Sequence, residues 1–252
     1  MPSPASTILI TGASSGLGAE MARQFAARGH DLALCARRTD RLEELRAEIL
    51  AAHPDRRVAV RALDVTDVEA VHRVTHELAE ELGGLDRVVV NAGLGKGAPL
   101  GTGKGHANQE TVATNVVGAL ATVEAAMEVF RAQARGHLVM ISSMSAVRGM
   151  PGAMTTYAAT KAFVAHLVEG LRVELHGTPF DLTVVYPGYI ASEMNPVEPG
   201  EMPLLVSTEK GTRAIVEAVE KRKASAYVPA WPWVPLSVVM KHAPAPVLRR
   251  MV

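Results

Sequence analysis

The sequence predicts an α/β protein built on one doubly wound parallel β-sheet, and three observations support this fold class. Short apolar runs alternate with longer stretches of helical period up to about residue 187. A glycine-rich turn separates the first run from the first helix. The 252 residues, 48% of them hydrophobic, can bury one large core, and no change of composition marks a second domain. We therefore expect a single domain over 1–252, with a disordered lead-in at 1–6 and a C-terminal arm at 229–252.

The strands are predicted from apolar runs bounded by turn residues, and the helices from apolar side chains that recur every three or four positions. The first helix ends at Gly29, a typical stop signal. The second carries Leu42, Leu45 and Ile49 on one side and charges on the other. The predicted strands are 7–11, 31–36, 58–63, 87–91, 137–142, 181–186 and 226–228, and the predicted helices are 15–28, 41–52, 68–82, 108–134, 156–175 and 208–223.

Composition argues against several classes of protein. The 26 basic and 26 acidic residues cancel, so no charge excess suggests a nucleic-acid partner. Cys35, the single cysteine, lies in an apolar run, which predicts a buried thiol in a reducing compartment. Residues 1–6 lack the pattern of a secretory signal, and no segment has the ~18 uninterrupted apolar residues of a spanning helix. We expect a cytoplasmic protein that acts on small molecules.

The C-terminal arm, 229–252, combines Trp231 and Trp233 with apolar and basic residues. Pro244 and Pro246 interrupt any long helix there. Packing of the arm on this subunit or on a neighbouring one is the favoured interpretation, because the apolar stretch is short for an anchor. A weak contact with a membrane surface is the alternative.

The turn after the first strand is typical of a dinucleotide-binding loop. It reads Thr-Gly-Ala-Ser-Ser-Gly-Leu-Gly over 11–18 and opens directly into a helix. Glycines allow a tight turn and let backbone amides approach a pyrophosphate, whose charge the helix N-terminus stabilises. The sheet is therefore expected to belong to a three-layer αβα Rossmann fold. The cofactor-binding residues predicted in this loop are Gly12, Ser14, Ser15, Gly16, Leu17 and Gly18.

The residues after the second strand favour NADP(H) as the cofactor. An NAD-binding protein usually has an acidic residue here that binds the ribose hydroxyls. This chain has Arg37 and Arg38 instead. A guanidinium can form charge-assisted bonds with a ribose phosphate that a carboxylate would repel. We expect at least one of the two arginines to bind the phosphate, Arg37 ahead of Arg38.

A tyrosine and a lysine predict proton transfer. Tyr157 and Lys161 stand four apart in a predicted helix, so both side chains project from one face. An isolated tyrosine has a pKa near 10, and a neighbouring ammonium together with a positive nicotinamide ring would lower that pKa. A Tyr-x-x-x-Lys pair is common on surface helices, but the position of this pair after the fifth strand and beside Ser142 and Ser143 favours chemistry.

These motifs, in their order and spacing, resemble the short-chain dehydrogenase/reductase family, in its compact single-domain branch, over nearly the whole chain. The matching residues are the glycine loop 11–18, Asp64 and Val65, Asn91, Ala92 and Gly93, Asn115, Ile141 to Ser143, Tyr157 to Lys161, and Pro187 with Gly188.

The resemblance implies a role for each matching residue. Tyr157 would donate a proton to the carbonyl oxygen during reduction and remove it during oxidation, while Ser143 hydrogen-bonds that oxygen. Lys161 would hold the nicotinamide ribose and tune Tyr157, and Asn115 would support a water path to Lys161. The cofactor-binding residues that the resemblance adds are Asp64 and Val65 at the adenine, Asn91 near the adenosine ribose with Ala92 and Gly93, Ser192 at the carboxamide, and Pro187, Gly188 and Ile190.

Two positions depart from the family's pattern. The interval from Ser143 to Tyr157 is one residue longer than usual, with Ser145 nearby, and Ser192 stands where threonine is common. No metal site is expected. His72 and His76 are four apart, but the residue after His72 is not the Glu of a zinc-protease helix, so a solvated face is predicted.

The resemblance implies an NADP(H)-dependent oxidoreductase that acts on a carbonyl or a secondary alcohol. An apolar ketone or ketoacyl substrate is suggested by methionines in the loops near the cleft, and ordinary packing of these side chains is the alternative. They include Met144, Met150, Met154, Met194 and Met202. The family further implies a homo-oligomer, a dimer or tetramer, formed through helices that include 108–134 and 156–175.

Two competing hypotheses come from other classes of protein. A catalytically silent NADP-binding sensor or scaffold is one, and the complete set of Asn115, Ser143, Tyr157 and Lys161 argues against it. A sugar-nucleotide epimerase or dehydratase shares the Tyr-x-x-x-Lys motif but normally carries an added substrate domain, which this chain is too short to hold.

Overall fold

Seven parallel strands form one sheet in the computed structural model, which describes residues 6–193 and 204–251, the side chains of 249–251 excepted. The strands are β1 (Thr7–Thr11), β2 (Asp31–Ala36), β3 (Val58–Ala62), β4 (Arg87–Val90), β5 (Gly136–Ile141), β6 (Phe180–Pro187) and β7 (Ser225–Val228). Their order in the sheet is β3-β2-β1-β4-β5-β6-β7. The order reverses between β1 and β4, the place where open α/β sheets bind ligands.

Helices cover both faces of the sheet, as a doubly wound fold requires. The predicted α/β fold is confirmed, and each predicted strand is present to within one residue at either end. The helices are α1 (Gly16–Ala26), α2 (Thr39–Ala52), α3 (Val68–Leu82), α4 (Gly105–Val112), α5 (Ala119–Gln133), α6 (Met154–Glu174), α7 (Thr208–Glu220), α8 (Ala230–His242) and α9 (Ala245–Met251).

The helix predicted over 108–134 is divided. A π-helical turn, Ala113–Gly118, separates α4 from α5, so one extra residue is accommodated in the middle of the helical stretch. The continuous stretch Gly105–Gln133 is the one helix of the described chain long and apolar enough to cross a membrane. In its most apolar window, 56% of the residues are buried inside the fold, as in the core helix of a soluble protein.

Two hydrophobic clusters lie on the two faces of the sheet. Successive residues of β1 alternate between them, with Leu9 in one cluster and Ile8 and Ile10 in the other. Cys35 is buried as predicted, and burial raises the pKa of its thiol to about 12, which keeps it unreactive. The first cluster contains side chains of α3, α5 and α6, and the second contains side chains of α1, α2 and α7.

The C-terminal arm packs on this subunit through one face of α8. Trp233, Ser237 and Met240 are buried, four and three residues apart. The opposite face is apolar and exposed: Trp231 is 79% exposed and Val238 is 58% exposed. The arm thus contributes to the core with one side and leaves an apolar stripe on the other.

A buried ion pair joins the sheet to α7. Arg87 Nη1 lies 2.6 Å from Glu220 Oε1, and His30 Nε2 lies 3.4 Å from the same oxygen. The side chains of Arg87 and Glu220 are 6% and 15% exposed. Burial alone would raise the pKa of Glu220, but hydrogen bonding to His30 and the charge of Arg87 lower it to about 2. The carboxylate is therefore ionised throughout the physiological range.

We expect Glu220→Gln to lower the free energy of unfolding by about 3–5 kcal/mol, because Arg87 would stay buried without a counter-charge. Urea unfolding at pH 7, followed by circular dichroism, measures this difference. The contribution of Glu220 is complete above its unfolded pKa and is lost as the pH falls toward 2.

Glu217→Gln is the matched control, since Glu217 is an exposed carboxylate on the same helix. We expect it to change the free energy of unfolding by less than about 0.5 kcal/mol. Equal destabilisation by the two variants would contradict the role given to the buried pair.

Candidate active site

The glycine-rich turn is held against the end of β4. Thr11 Oγ1 accepts hydrogen bonds from the backbone N–H groups of Asn91 and Ala92, both at 3.1 Å. The side-chain amide of Asn91 donates to the carbonyl oxygens of Thr11 and Gly12, at 2.9 and 3.3 Å. The ends of β1 and β4 are thereby fixed to each other where the strand order reverses.

The turn has no room for side chains at two of its glycines. Gly12 has a φ of +69°, and a Cβ there would lie 2.8 Å from the Cα of Ala92. A Cβ on Gly18 would lie 2.3 Å from the carbonyl oxygen of Gly12. Ser15 precedes α1 but does not cap it with its side chain, so the first N–H groups of the helix are free to bind an anion. This cradle fits the pyrophosphate of a dinucleotide.

Arg38 lies against the serines of the same turn. Its Nε donates to Ser14 Oγ at 3.2 Å, and its Nη2 donates to Ser15 Oγ at 2.6 Å. Nη2 also donates to the carboxylate of Glu193 at 3.0 Å, and Arg41 donates to that carboxylate as well. Hydrogen bonds from Arg38 and Arg41 lower the pKa of Glu193 to about 2. A carboxylate anion therefore lies between two guanidinium groups beside the glycine turn.

Arg37 extends toward Asp64 instead. Its Nη1 lies 3.9 Å from Asp64 Oδ2, and its side chain is 68% exposed. Burial opposes ionisation of Asp64, but hydrogen bonds from the backbone and hydroxyl of Thr66, with the charge of Arg37, outweigh burial and lower the pKa. Val65, the next predicted residue, is buried. The structure brings Arg38 to the glycine turn and Arg37 toward Asp64, and which of the two binds a ribose phosphate stays a prediction.

Lys161 is a buried cation next to the predicted proton-transfer residue. Its Nζ donates to the carbonyl oxygen of Ile141 at 2.9 Å and lies 5.9 Å from the centre of the Tyr157 ring. Ser142 Oγ donates to the carbonyl oxygen of Lys161 at 2.8 Å. Burial lowers the pKa of Lys161 to about 8. The i, i+4 spacing thus places the phenol and the ammonium side by side on α6.

Tyr157 lies beside Ser143. Burial raises the pKa of Tyr157, and interaction with the Ser143 hydroxyl offsets part of that rise. The lowering expected from the ammonium and the nicotinamide ring together stays a prediction for the cofactor-bound protein. Ser143 Oγ also accepts hydrogen bonds from the backbone N–H and the hydroxyl of Ser145, at 3.2 and 3.0 Å. A 3₁₀ turn, Met144–Val147, accommodates the longer interval while Ser143 still reaches Tyr157.

Asn115 lies in the π-helical turn and is hydrogen-bonded on both sides of its amide. Its Oδ1 accepts from the backbone N–H of Leu94 at 2.7 Å, and its Nδ2 donates to the Leu94 carbonyl at 2.9 Å and to Thr160 Oγ1 at 3.1 Å. A Cβ on Gly93 would lie 3.2 Å from Asn115 Oδ1 and 3.4 Å from Lys161 Nζ. The glycine therefore lets the β4 loop approach the asparagine and the lysine together.

The chain beyond β6 returns to the glycine turn. The backbone N–H of Gly188 bonds to the Val228 carbonyl at 2.9 Å, and a Cβ on Gly188 would overlap the ring of Trp233. The Cβ of Ser192 lies 3.5 Å from the place that a Cβ on Gly16 would take. The structure thus brings the following predicted residues to one end of the sheet: Gly12, Ser14, Ser15, Gly16, Arg38, Asn91, Ala92, Gly93, Asn115, Ser143, Tyr157, Lys161 and Ser192.

Two residues of this region were missed in the sequence. Thr160 bonds to Asn115, and its position between Tyr157 and Lys161 could have suggested a polar contact. Glu193 contacts Arg38 across 155 positions of sequence, and no local signal marks it. Of the methionines proposed near the cleft, Met144 and Met150 are buried and Met154 is exposed, whereas Met194 and Met202 lie outside the described residues.

Comparison with solved structures supports the fold. Serine dehydrogenase complexed with NADP+ has a TM-score of 0.78 at 26% identity, over 89% of this chain and 95% of that one. A short chain dehydrogenase/reductase from Burkholderia phymatum in complex with NAD has a TM-score of 0.84 at 20% identity, over 96% and 94% of the two chains. The two proteins share the fold of this chain, and they differ in the nicotinamide cofactor they contain.

Comparison of sequences shows the family. A family model described as short chain dehydrogenase matches residues 6–201. An uncharacterized oxidoreductase of Mycobacterium tuberculosis is 53% identical over 243 residues, 96% of each chain. 11-beta-hydroxysteroid dehydrogenase 1A of Arabidopsis thaliana is 37% identical over 188 residues, 74% of this chain and 53% of that protein. This chain is therefore an oxidoreductase that belongs to the short-chain dehydrogenase/reductase family.

Proposed function

We propose that the protein is an NADP(H)-dependent oxidoreductase that interconverts an apolar ketone and its secondary alcohol. The observation that carries this proposal is the contact between the phenol of Tyr157 and Ser143, with Lys161 Nζ 5.9 Å from the tyrosine ring. This group lies at the end of the sheet that also holds the glycine turn. A proton donor and a nucleotide cradle are the two parts that carbonyl reduction requires.

Each side chain has a distinct task in this proposal. The nicotinamide would supply the hydride during reduction and accept it during oxidation. Tyr157 gives its proton to the carbonyl oxygen as that oxygen gains negative charge, and Ser143 donates a hydrogen bond to the same oxygen. The ammonium of Lys161 stabilises the phenolate that remains. Asn115 holds the loop at Leu94 and so keeps the lysine pocket in shape.

We expect Tyr157→Phe to reduce kcat by about 10²–10⁴-fold, because the acid that protonates the carbonyl oxygen is removed. The Kd for NADPH should change by less than about 3-fold, because phenylalanine keeps the aromatic ring. A 3-fold change in Kd corresponds to less than about 1 kcal/mol of binding free energy. Loss of NADPH absorbance with a panel of apolar ketones measures turnover, and fluorescence titration measures binding.

Tyr227→Phe is the control for loss of a tyrosine hydroxyl. Tyr227 lies in β7, where its ring stacks on the ring of Tyr186, and it is not among the proposed site residues. Unchanged turnover in Tyr157→Phe would show that the acid lies elsewhere. NADPH binding without turnover of any ketone by the wild-type chain would favour the sensor or scaffold.

The titration of Lys161 gives a second test. Its pKa of about 8 means that the ammonium is present below pH 8 and is lost as the pH rises above it. We expect kcat/KM for NADPH, which reports the free enzyme, to fall as the pH rises through about 8. In Lys161→Arg the side chain keeps its positive charge at all these pH values. We therefore expect the fall of kcat/KM near pH 8 to disappear in this variant, even if its kcat/KM is lower overall. A fall at the same pH in both proteins would contradict the assignment to Lys161.

The preference for NADP(H) is proposed from the cluster formed by Ser14, Ser15, Arg38 and Arg41. Two guanidinium groups donate to an anion here, the carboxylate of Glu193, and Arg38 also donates to the hydroxyls of Ser14 and Ser15. A ribose phosphate offers the same kind of charge and more acceptor oxygens. We propose that the phosphate takes the position of the Glu193 carboxylate and that Arg38 is its principal ligand.

We expect Arg38→Asp to reduce the preference for NADPH over NADH by about 10–100-fold, the equivalent of one charge-assisted hydrogen bond of about 1.5–3 kcal/mol. Arg37→Asp is the matched comparison, since Arg37 is adjacent and extends toward Asp64. The ratio of kcat/KM values for the two cofactors measures the preference. If Arg37→Asp reduced the preference for NADPH more than Arg38→Asp does, Arg37 would be the principal ligand of the phosphate.

An apolar substrate is proposed from the side chains that surround the catalytic turn. Met144, Met150, Ala158 and Trp233 belong to one buried hydrophobic cluster, in which Met144 directly follows Ser143 and Ala158 directly follows Tyr157 in the sequence. A relative named as a hydroxysteroid dehydrogenase supports a bulky apolar ketone. Methionine side chains adapt their shape to such ligands at low energetic cost.

We further propose a cytoplasmic homo-oligomer, a dimer or tetramer. Apolar side chains are exposed on α4, on the π-helical turn and on α6, among them Val112 at 39%, Val117 at 44% and Phe163 at 40%. A partner subunit that covers these helices would remove the exposed apolar area from water. The apolar stripe of α8 with Lys241 at its end could contact a membrane surface weakly, and a second subunit is the alternative occupant.

A further inference from the structure

Three side chains meet on the surface where α3 lies beside α5. His72 Nδ1 lies 3.1 Å from Glu128 Oε2, and His76 Nε2 lies 2.9 Å from the same oxygen. All three atoms lie within 4.8 Å of one another. The sequence predicts a solvated face for the two histidines because no glutamate follows His72. The carboxylate comes instead from another helix, 56 positions after His72 and 52 positions after His76.

The two imidazoles share one carboxylate oxygen rather than taking one oxygen each. This arrangement brings two ring nitrogens and one oxygen close to a common point. A tetrahedral zinc ion has bonds of about 2.0–2.2 Å to such atoms, which puts neighbouring ligand atoms about 3.4 Å apart. The observed nitrogen–oxygen distances of 2.9 and 3.1 Å therefore need to lengthen by only a few tenths of an ångström.

The chemistry of the three groups suits a transition metal. A glutamate side chain is ionised at neutral pH, so the Glu128 carboxylate can serve as an anionic ligand. A neutral imidazole can carry its single proton on the other ring nitrogen, which leaves the inward nitrogen free as a ligand. Imidazole ligands favour zinc, copper, nickel and cobalt over magnesium and calcium. The side chains are 32%, 51% and 50% exposed, so an ion can reach them from solvent.

We propose that His72, His76 and Glu128 form a binding site for one divalent transition-metal ion, with water as the remaining ligand. The two helices that supply the ligands are thereby clamped together, because the ion binds α3 through two groups and α5 through one. The site uses none of the residues assigned to the cofactor or to proton transfer. It therefore stands independently of the proposed function.

The first experiment measures Zn²⁺ binding by the metal-free full chain, by titration calorimetry and thermal unfolding. An ion that binds only the folded chain raises its stability, and at 100 times the Kd we expect the Tm to rise by about 5–10 °C. Absorption of the Co²⁺ form reports the geometry, since tetrahedral Co²⁺ absorbs visible light much more strongly than octahedral Co²⁺ does. We expect one ion per chain and the stronger absorption.

Variants assign the ion to its ligands. We expect His76→Gln and Glu128→Gln each to weaken Zn²⁺ binding by at least about 10-fold, since even groups that only orient a ligand contribute that much. His166→Gln is the matched control, an exposed histidine on α6, and should bind Zn²⁺ as the wild-type chain does. Circular dichroism and NADPH oxidation without added metal show that each variant is folded.

Two results would overturn the proposal. One is wild-type Zn²⁺ affinity in both His76→Gln and Glu128→Gln, which would place the ion elsewhere. The other is the absence of any Tm shift or Co²⁺ absorption in the wild-type chain, which would leave the three side chains as hydrogen-bonded neighbours only.

Discussion

The hydrogen bonds between Thr11 and Asn91 fix the two strand ends on which the whole site depends. They join β1 to β4 and hold Gly12 close to Ala92, so a Cβ on Gly12 would collide with the backbone of Ala92. On the β1 side of this junction the chain forms the nucleotide cradle. On the β4 side it continues into Gly93, which lies against Asn115 and the ammonium of Lys161. The Thr11–Asn91 contacts thus help to set the position of the glycine turn relative to Asn115 and Lys161.

Two buried cations in this fold have different surroundings, and the difference explains their different tasks. Arg87 is paired with a carboxylate, Glu220, so its charge is compensated inside the protein and holds a helix to the sheet. Lys161 is held by a backbone carbonyl, which orients the ammonium without cancelling its charge. Burial then lowers the pKa of Lys161 toward the working pH, and its positive field remains directed at the phenol. A compensated charge serves stability, and an uncompensated one is available for chemistry.

The sequence predicted well those features whose signal is local. Each strand is a mainly apolar run, because both faces of a parallel sheet are covered, and the bounds of these runs agree with the structure to within one residue. The glycine turn spans eight residues, and the Tyr157–Lys161 pair spans five. The geometry of each is therefore set by local backbone structure, a tight turn in one case and one turn of a helix in the other.

Features that depend on distant parts of the chain could not be predicted in the same way. The different contacts of Arg37 and Arg38 depend on where Asp64, Ser15 and Glu193 lie, and Glu128 reaches His76 from a different helix. Hydrophobic periodicity indicates which face of a helix is buried. It does not indicate which polar side chain of a neighbouring helix will contact that helix. The packed helix α8 was missed for a related reason, since its prolines obscure the helical pattern.

The π-helical turn determines how the two halves of the helical stretch 105–133 are rotated about their common axis. In the first half, Asn108 and Thr111 bond to backbone atoms of the loop after β4, and in the second half Glu128 faces α3. Each residue of an α-helix advances the side-chain direction by about 100°. Deleting one residue between 113 and 118 would therefore swing one half by about that angle and lose either the loop contacts or the α3 contacts. The length of this short turn is constrained more tightly than the identity of most of its side chains.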